Sequence, residues 1–144
     1  MIPSIKFHKK IIKEIIKIER IKGLLVEPYE LPKEIEIDNT LEAKQHVVGG
    51  YIECVYPSND DSVVFICNEE GKINGMPLNR DIGHDIIAGP FLILGDDYEN
   101  GDFKSLTDNQ ILKYKMRFDK NSIIETENRI TSILLNRQNK EYER

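Results

Sequence analysis

Apolar residues recur at helical spacing along "SIKFHKKIIKEIIKIERIK", residues 4–22. Phe7, Ile11, Ile15 and Ile18 mark one face, Ile5, Ile12 and Ile16 widen it, and lysines fill the opposite side. This pattern predicts an amphipathic helix with Ser4 as N-cap and Gly23 as stop. In "GLLVEPYELPKEIEID" the period changes to two. Two short strands are expected there, joined near Pro28 and Pro32, with Ile35 and Ile37 alternating against Glu34, Glu36 and Asp38. "NTLEAKQHVVGG" reads as a short helix capped by Asn39 or Thr40 and ended by Gly49-Gly50. "YIECVYP" and "SVVFICN" form a predicted hairpin across "SNDD". "HDIIAGPFLILG" reads as one further buried strand, with Gly89-Pro90 marking a bulge or an edge. Ser105 or Thr107 then caps a helix through about Phe118, and a last helix is expected over 122–138, with Ile123, Ile130 and Leu134 on one side. Strands and helices mix without βαβ alternation, which predicts an α+β fold with a small mixed or antiparallel sheet. Three parts follow: a basic amphipathic helix over 1–23, an α+β core over 24–118 and a C-terminal helix over 119–144.

Composition narrows the setting. The chain has 144 residues, 40% hydrophobic and 31% charged, enough for one core without staples. No apolar run approaches the roughly 20 residues that span a bilayer, and the N-terminal segment lacks a signal-peptide pattern. The expectation is a cytoplasmic protein with no membrane partner. Cys54 and Cys67 would face each other in a hairpin turning about Asp60-Asp61, yet a reducing setting favours two free, buried thiols. Neither cysteine has the histidine spacing of a zinc site, so no metal and no cofactor are expected.

Charge is segregated along the chain. Residues 1–22 hold seven basic and two acidic side chains, net +5. Residues 23–108 hold five basic and 18 acidic, net -13, and residues 109–144 hold eight basic and five acidic, net +3. Such a pattern suits a solvated surface, docking between copies, or an acidic face for a basic partner. Direct nucleic-acid binding is disfavoured, because the acidic middle would repel phosphates.

Catalytic motifs are absent from the pattern. A calcium loop beginning at Asp96 would need ligands where Tyr98 and Thr107 stand. "EEGKING" lacks the outer glycine and Ser/Thr of a phosphate loop, and there is no G-x-S-x-G. His84-Asp85 is the one adjacent pair with acid–base potential. The stretch "ICNEEGKINGMPLNR" offers a different chemistry, in which Asn68 and Asn79 supply donors and acceptors and Arg80 could clamp an anion. The alternative is structural: the asparagines tie down backbone turns and Arg80 pairs with a nearby carboxylate.

"VVGGYIECV", "ICNEEGKINGMPLNR" and "DIIAGPFLILGDD", with "EIEIDNTLEAKQ" before and "FKSLTDNQILKYKMRF" after, resemble the domain-of-unknown-function family numbered three-eight-four-six. The resemblance covers roughly residues 24–118 and rests on Gly49, Gly50, Tyr51, Asn68, Glu69, Gly71, Gly75, Pro77, Asn79, Arg80 and Gly89. It implies an accessory protein of phages, plasmids and conjugative elements of Gram-positive bacteria, acting in counter-defence. The leading expectation is a non-enzymatic binding protein for a nucleotide-like small molecule. Arg80 would hold its anionic part, Asn68 and Asn79 would hydrogen-bond to it, and Tyr51 would stack on a base. The alternative is an acidic inhibitor that binds a host defence protein by DNA mimicry. A homo-oligomer, most simply a two-fold dimer, is expected from the N-terminal isoleucine stripe and a C-terminal stripe of Ile123, Ile130, Ile133 and Leu134.

Overall fold

Ser4 caps the first helix as predicted: its Oγ accepts the Phe7 N–H at 3.3 Å, and α1 runs Ile5–Ile16. The computed structural model describes residues 4–142. The side chains of Ile15 and Ile16, which belong to the predicted stripe, lie outside the described residues. The helix ends well before Gly23. Lys17 takes a left-handed φ of 49°, and the chain enters strand β1, Arg20–Val26. A boundary at residue 23 would therefore cut a strand. Ile21 satisfies both the helical and the two-residue period, but its burial between exposed Arg20 and Lys22 shows which one prevails. Gly23 is a packing position, since a Cβ there would lie 2.6 Å from the Ile93 carbonyl oxygen.

The remaining elements are β2 (Lys33–Asp38), α2 (Leu41–Val48), β3 (Ile52–Val55), β4 (Val63–Asn68), β5 (Leu78–Asp81), β6 (Ile86–Ala88), β7 (Phe91–Asp97), β8 (Asp102–Lys104), α3 (Asp108–Arg117) and α4 (Lys120–Tyr142). The architecture is α+β. An antiparallel sheet has the order β2-β1-β7-β4-β3, with β8 added to β7, and β5 and β6 form a separate two-stranded sheet. Val63–Cys67 and Phe91–Leu94 are unbroken apolar runs because β4 and β7 are central strands covered on both faces. One face carries Leu24, Phe65, Phe91 and Ile93 under Ile111, Tyr114 and Phe118 of the α3 segment. The Phe65 ring lies 5.6–5.7 Å from those of Phe91, Tyr114 and Phe118, joining sheet to helix through edge and tilted contacts. The other face carries Ile21, Ile37, Val64, Ile66, Leu92 and Leu94 with Val48 of α2.

Two predicted features take another form. "HDIIAGPFLILG" divides into β6 and β7, which belong to different sheets. Gly89 makes the crossing at φ 79°, its N–H bonded to the Pro77 carbonyl at 2.8 Å. The hairpin pairs Cys54 with Ile66 and Glu53 with Cys67, one residue away from a turn about Asp60-Asp61. Because side chains alternate, that single step puts the two thiols on opposite faces. Both are free, Cys54 exposed and Cys67 buried, with burial pushing the Cys67 thiol up to about 11.

Asp60 explains the turn's position. Its carboxylate accepts the Ser62 N–H at 3.0 Å, the Ser62 hydroxyl at 2.6 Å, the Tyr114 hydroxyl at 2.5 Å and Lys113 Nζ at 3.0 Å. Burial alone would raise its pKa, but these donors together hold it well below the ordinary carboxylate range. A depressed folded-state pKa means the stabilisation is present above the unfolded value near 3.9 and is lost as pH falls through the folded one. Asp60→Asn is expected to lower stability by about 1–3 kcal/mol at neutral pH and to flatten the acid limb of melting temperature against pH. Thermal denaturation at pH 7 and pH 3 reads this out, and an unchanged acid slope in the variant would remove Asp60 from the account.

Thr107 caps α3 with a capping box to Gln110, as one of the two expected caps. The first turns of α4 pack against β5, where Thr126 Oγ1 accepts the Asp81 N–H at 3.0 Å. Among the described residues no helix is long and apolar enough to cross a membrane.

Candidate binding face

The stretch 66–80 folds into a structural staple. Asn68, at the end of β4, donates from Nδ2 to the Val48 carbonyl at 3.1 Å and accepts the Glu70 N–H at 2.8 Å. It fastens the end of α2 to the turn that follows β4. Asn79 donates from Nδ2 to the carbonyls of Val26 and Gly89, both at 2.9 Å. Arg80 is fully buried. Its Nε donates to Ser122 Oγ at 2.9 Å, Nη1 to Asn79 Oδ1 at 2.9 Å and to the Asn79 carbonyl at 3.4 Å, and Nη2 to the carbonyls of Glu30 at 2.6 Å and Phe118 at 3.3 Å. A guanidinium has five N–H groups, so each is engaged.

This geometry corrects the expectation that Arg80 clamps an anion. The cation instead ties four segments together: the β1–β2 connection, its own strand, the end of α3 and the start of α4. The structural alternative also needs amending, because Arg80 bonds carbonyls and a hydroxyl and no carboxylate accepts from it among these bonds. Asn68 and Asn79 keep the turn-fastening role of that alternative. Tyr51 is 70% exposed in the α2–β3 connection and is not grouped with Arg80. Asn68 borders a small cleft with Cys67, Lys72 and Asp85, and neither Tyr51, Asn79 nor Arg80 lines it. His84 is exposed, while Asp85 is paired with Lys72 and accepts the Ile86 N–H at 2.8 Å. Among the described residues no group of three or more His, Cys, Asp and Glu is placed to hold a metal.

Sequence reasoning missed a different surface. The β3–β4 connection and the β7–β8 hairpin, about forty residues apart in sequence, meet at one end of the main sheet. Residues 53–62 and 96–102 contain Glu53, Asp60, Asp61, Asp96, Asp97, Glu99 and Asp102 and no Lys or Arg. Tyr56 and Tyr98 stand between two open cavities. One, of about 540 Å³, is lined by Pro57, Asn59, Asp60 and Asp61 as well as both tyrosines. The other, of about 320 Å³, adds Cys54, Asp96, Gly101, Asp102 and Phe103. Tyr98 is 81% exposed and Tyr56 48%. Burial, reinforced by the Asp96 charge, pushes both the Tyr56 hydroxyl and the Cys54 thiol up. "DDYENGD" was visible in the sequence as a failed calcium loop, but its partner tyrosine at position 56 becomes a neighbour only through strand pairing.

No curated protein and no solved structure matches the chain. The family model described as "Domain of unknown function (DUF3846)" matches residues 21–119, from β1 through α3, and the chain belongs to that family.

Proposed function

We propose that this protein is a non-enzymatic binding protein whose acid–tyrosine end docks a basic surface of another protein. One observation carries the reading: Asp60, Asp61, Asp96 and Asp102 line the two cavities around the exposed Tyr56 and Tyr98, Asp97 and Glu99 belong to the same hairpin as Tyr98, and Lys113 pairs with Asp60 at their edge. Such a potential attracts cationic surfaces and speeds their encounter. Tyrosine is enriched at interfaces because it covers apolar area and keeps a polar tip. The fitting partner class is a protein surface built to hold nucleic acid, on which carboxylates stand in for phosphates. A host defence protein met in the cytoplasm, as expected for a mobile-element product, belongs to that class. The small-ligand reading is not carried forward, because Arg80 has no free donor for it.

The experiment compares wild type with Asp61→Lys/Asp97→Lys/Glu99→Lys against a panel of purified basic nucleic-acid-binding proteins. Binding in the wild type is expected to weaken steeply with salt and to be displaced by duplex DNA. Charge reversal is expected to weaken it by at least about tenfold. Equal affinity and equal salt dependence for both proteins would overturn the reading.

We also propose self-association through the terminal helices, with a second copy as the occupant. Ile5, Phe7 and Ile12 on α1, and Ile133, Leu134 and Leu135 on α4, are exposed. Covering a large aliphatic side chain contributes about 1.5–3 kcal/mol, so together these residues form a surface that favours burial. Exposed Lys6, Lys9 and Lys10 complement the acidic end of a neighbour. Light scattering is expected to give a dimer for the full chain and a monomer for a variant lacking residues 1–16. The deletion must stop before Arg20, because Ile21 of β1 is in the core. A full chain that stays monomeric at tens of micromolar (about the range where weak dimers form) would remove the proposal.

A further inference from the structure

The pairing of the main sheet decides what faces the smaller of the two cavities. Cys54 lies opposite Ile66, Val64 opposite Leu94, and Asp96 opposite Phe103. Ile66, Val64, Leu94 and Phe103 all belong to the core face under α2. Two-residue alternation therefore places Asp96 on that same face, two positions beyond Leu94, and Asp96 lines the cavity with Phe103, Tyr56 and Tyr98.

Asp96 Oδ2 is buried and accepts no hydrogen bond, the one such side-chain atom among the described residues. A buried carboxylate oxygen without a donor is costly, so it marks a place where a donor belongs. Lys44, on the same face, does not supply one. Lys44 is buried with its Nζ 4.6 Å from the Phe103 ring centroid, and it donates to Asn39 Oδ1 at 2.8 Å and to the Thr40 carbonyl at 3.2 Å. Asn39 in turn donates to Asp102 Oδ1 at 3.1 Å. Lys44 and Asp102 are thus joined through Asn39, and Asp96 is left over.

An unpaired carboxylate beside two accessible tyrosine rings selects an organic cation. A planar guanidinium suits the cup better than an ammonium, because it can stack on a ring while an N–H on its edge donates to the carboxylate. The cup is open and its rings are exposed, so it suits the tip of a side chain presented by another protein. We infer that this cup receives the guanidinium of an arginine side chain on the docked partner, paired with Asp96 and stacked on Tyr56 or Tyr98. This inference rests on the docking reading above and names its anchor.

The test is a two-dimensional ¹H–¹⁵N titration with N-acetyl-arginine methylamide, alongside the lysine analogue. Saturable shifts confined to residues 54–56 and 96–103 are expected with the arginine probe. The lysine probe, Asp96→Asn and Tyr98→Ala are each expected to weaken binding by about fivefold or more, since each removes one of the guanidinium plane, the carboxylate or a ring. The spectrum of each variant reports its fold, and Tyr98→Ala alters an exposed ring, so at least one variant keeps the core intact. Non-saturating shifts, shifts spread over all the acids, or equal affinities for both probes would overturn the inference. If the arginine probe fails while charge reversal still abolishes partner binding, the cup falls and the docking reading stands. If the probe saturates and no basic protein binds, the docking reading falls and the cup stands.

Discussion

Replacing Arg80 by alanine is expected to destabilise the fold by at least about 3 kcal/mol. Hydrogen bonds from a charged donor contribute roughly 1.5–3 kcal/mol each, and a buried acceptor left without its donor adds a desolvation penalty. The substitution strips donors from the carbonyls of Glu30 and Phe118 and from Asn79 Oδ1, and leaves a cavity where the side chain lay. Arg80→Met separates the two contributions, since it fills most of the volume and restores none of the bonds. Equilibrium urea denaturation followed by circular dichroism measures both. If Arg80→Ala kept the wild-type midpoint, the staple would be wrong and the anion-binding role would reopen. Arg80→Lys is also expected to destabilise, because an ammonium point charge cannot span four segments as the fork does.

The second large effect belongs to Phe65. Its ring is fully buried and touches Phe91, Tyr114 and Phe118, so it couples the central strands to α3. Phe65→Ala should cost about 3–5 kcal/mol, through lost burial and the cavity left behind. Phe7→Ala is the matched control. Phe7 is exposed on α1, so the same truncation there should change monomer stability by less than about 0.5 kcal/mol while weakening self-association. Denaturation midpoints for both variants, at a concentration below dimerisation, decide the contrast. A Phe7 variant as unstable as the Phe65 variant would mean that α1 packs into the core.

Local chemistry was legible in the residues themselves. Ser4, Thr40 and Thr107 cap the helices they were expected to cap, and Gly49 ends α2 at φ 81°. A cap is a contact between residues three or four apart, so neighbours in sequence suffice to identify it. The β3–β4 hairpin, the two apolar central strands and the alternating β2 were legible for the same reason, because side-chain period reports burial pattern. So was the family, since the residues that suggested it lie within the matched span 21–119.

Long-range placement is what only the tertiary structure decided. Ile21 fits a helix and a strand equally well, and pairing with β2 and β7 selects the strand. "HDIIAGPFLILG" is apolar throughout, and only the two separate pairing partners reveal a crossing between sheets at Gly89. The sequence presents Arg80 as a charged group in an acidic segment, which reads as a binding site. The fold buries it because three carbonyls and the Ser122 hydroxyl, from four segments, converge there, and no pattern of nearby residues announces such a convergence. The acid–tyrosine end is the converse case. Its residues were ordinary loop residues in sequence, and strand pairing over some forty positions makes them one surface. Period and caps act over a few residues and are written in order along the chain. Sites assembled by chain closure depend on which distant segments find each other, which this sequence determines only through the complete packing of its core.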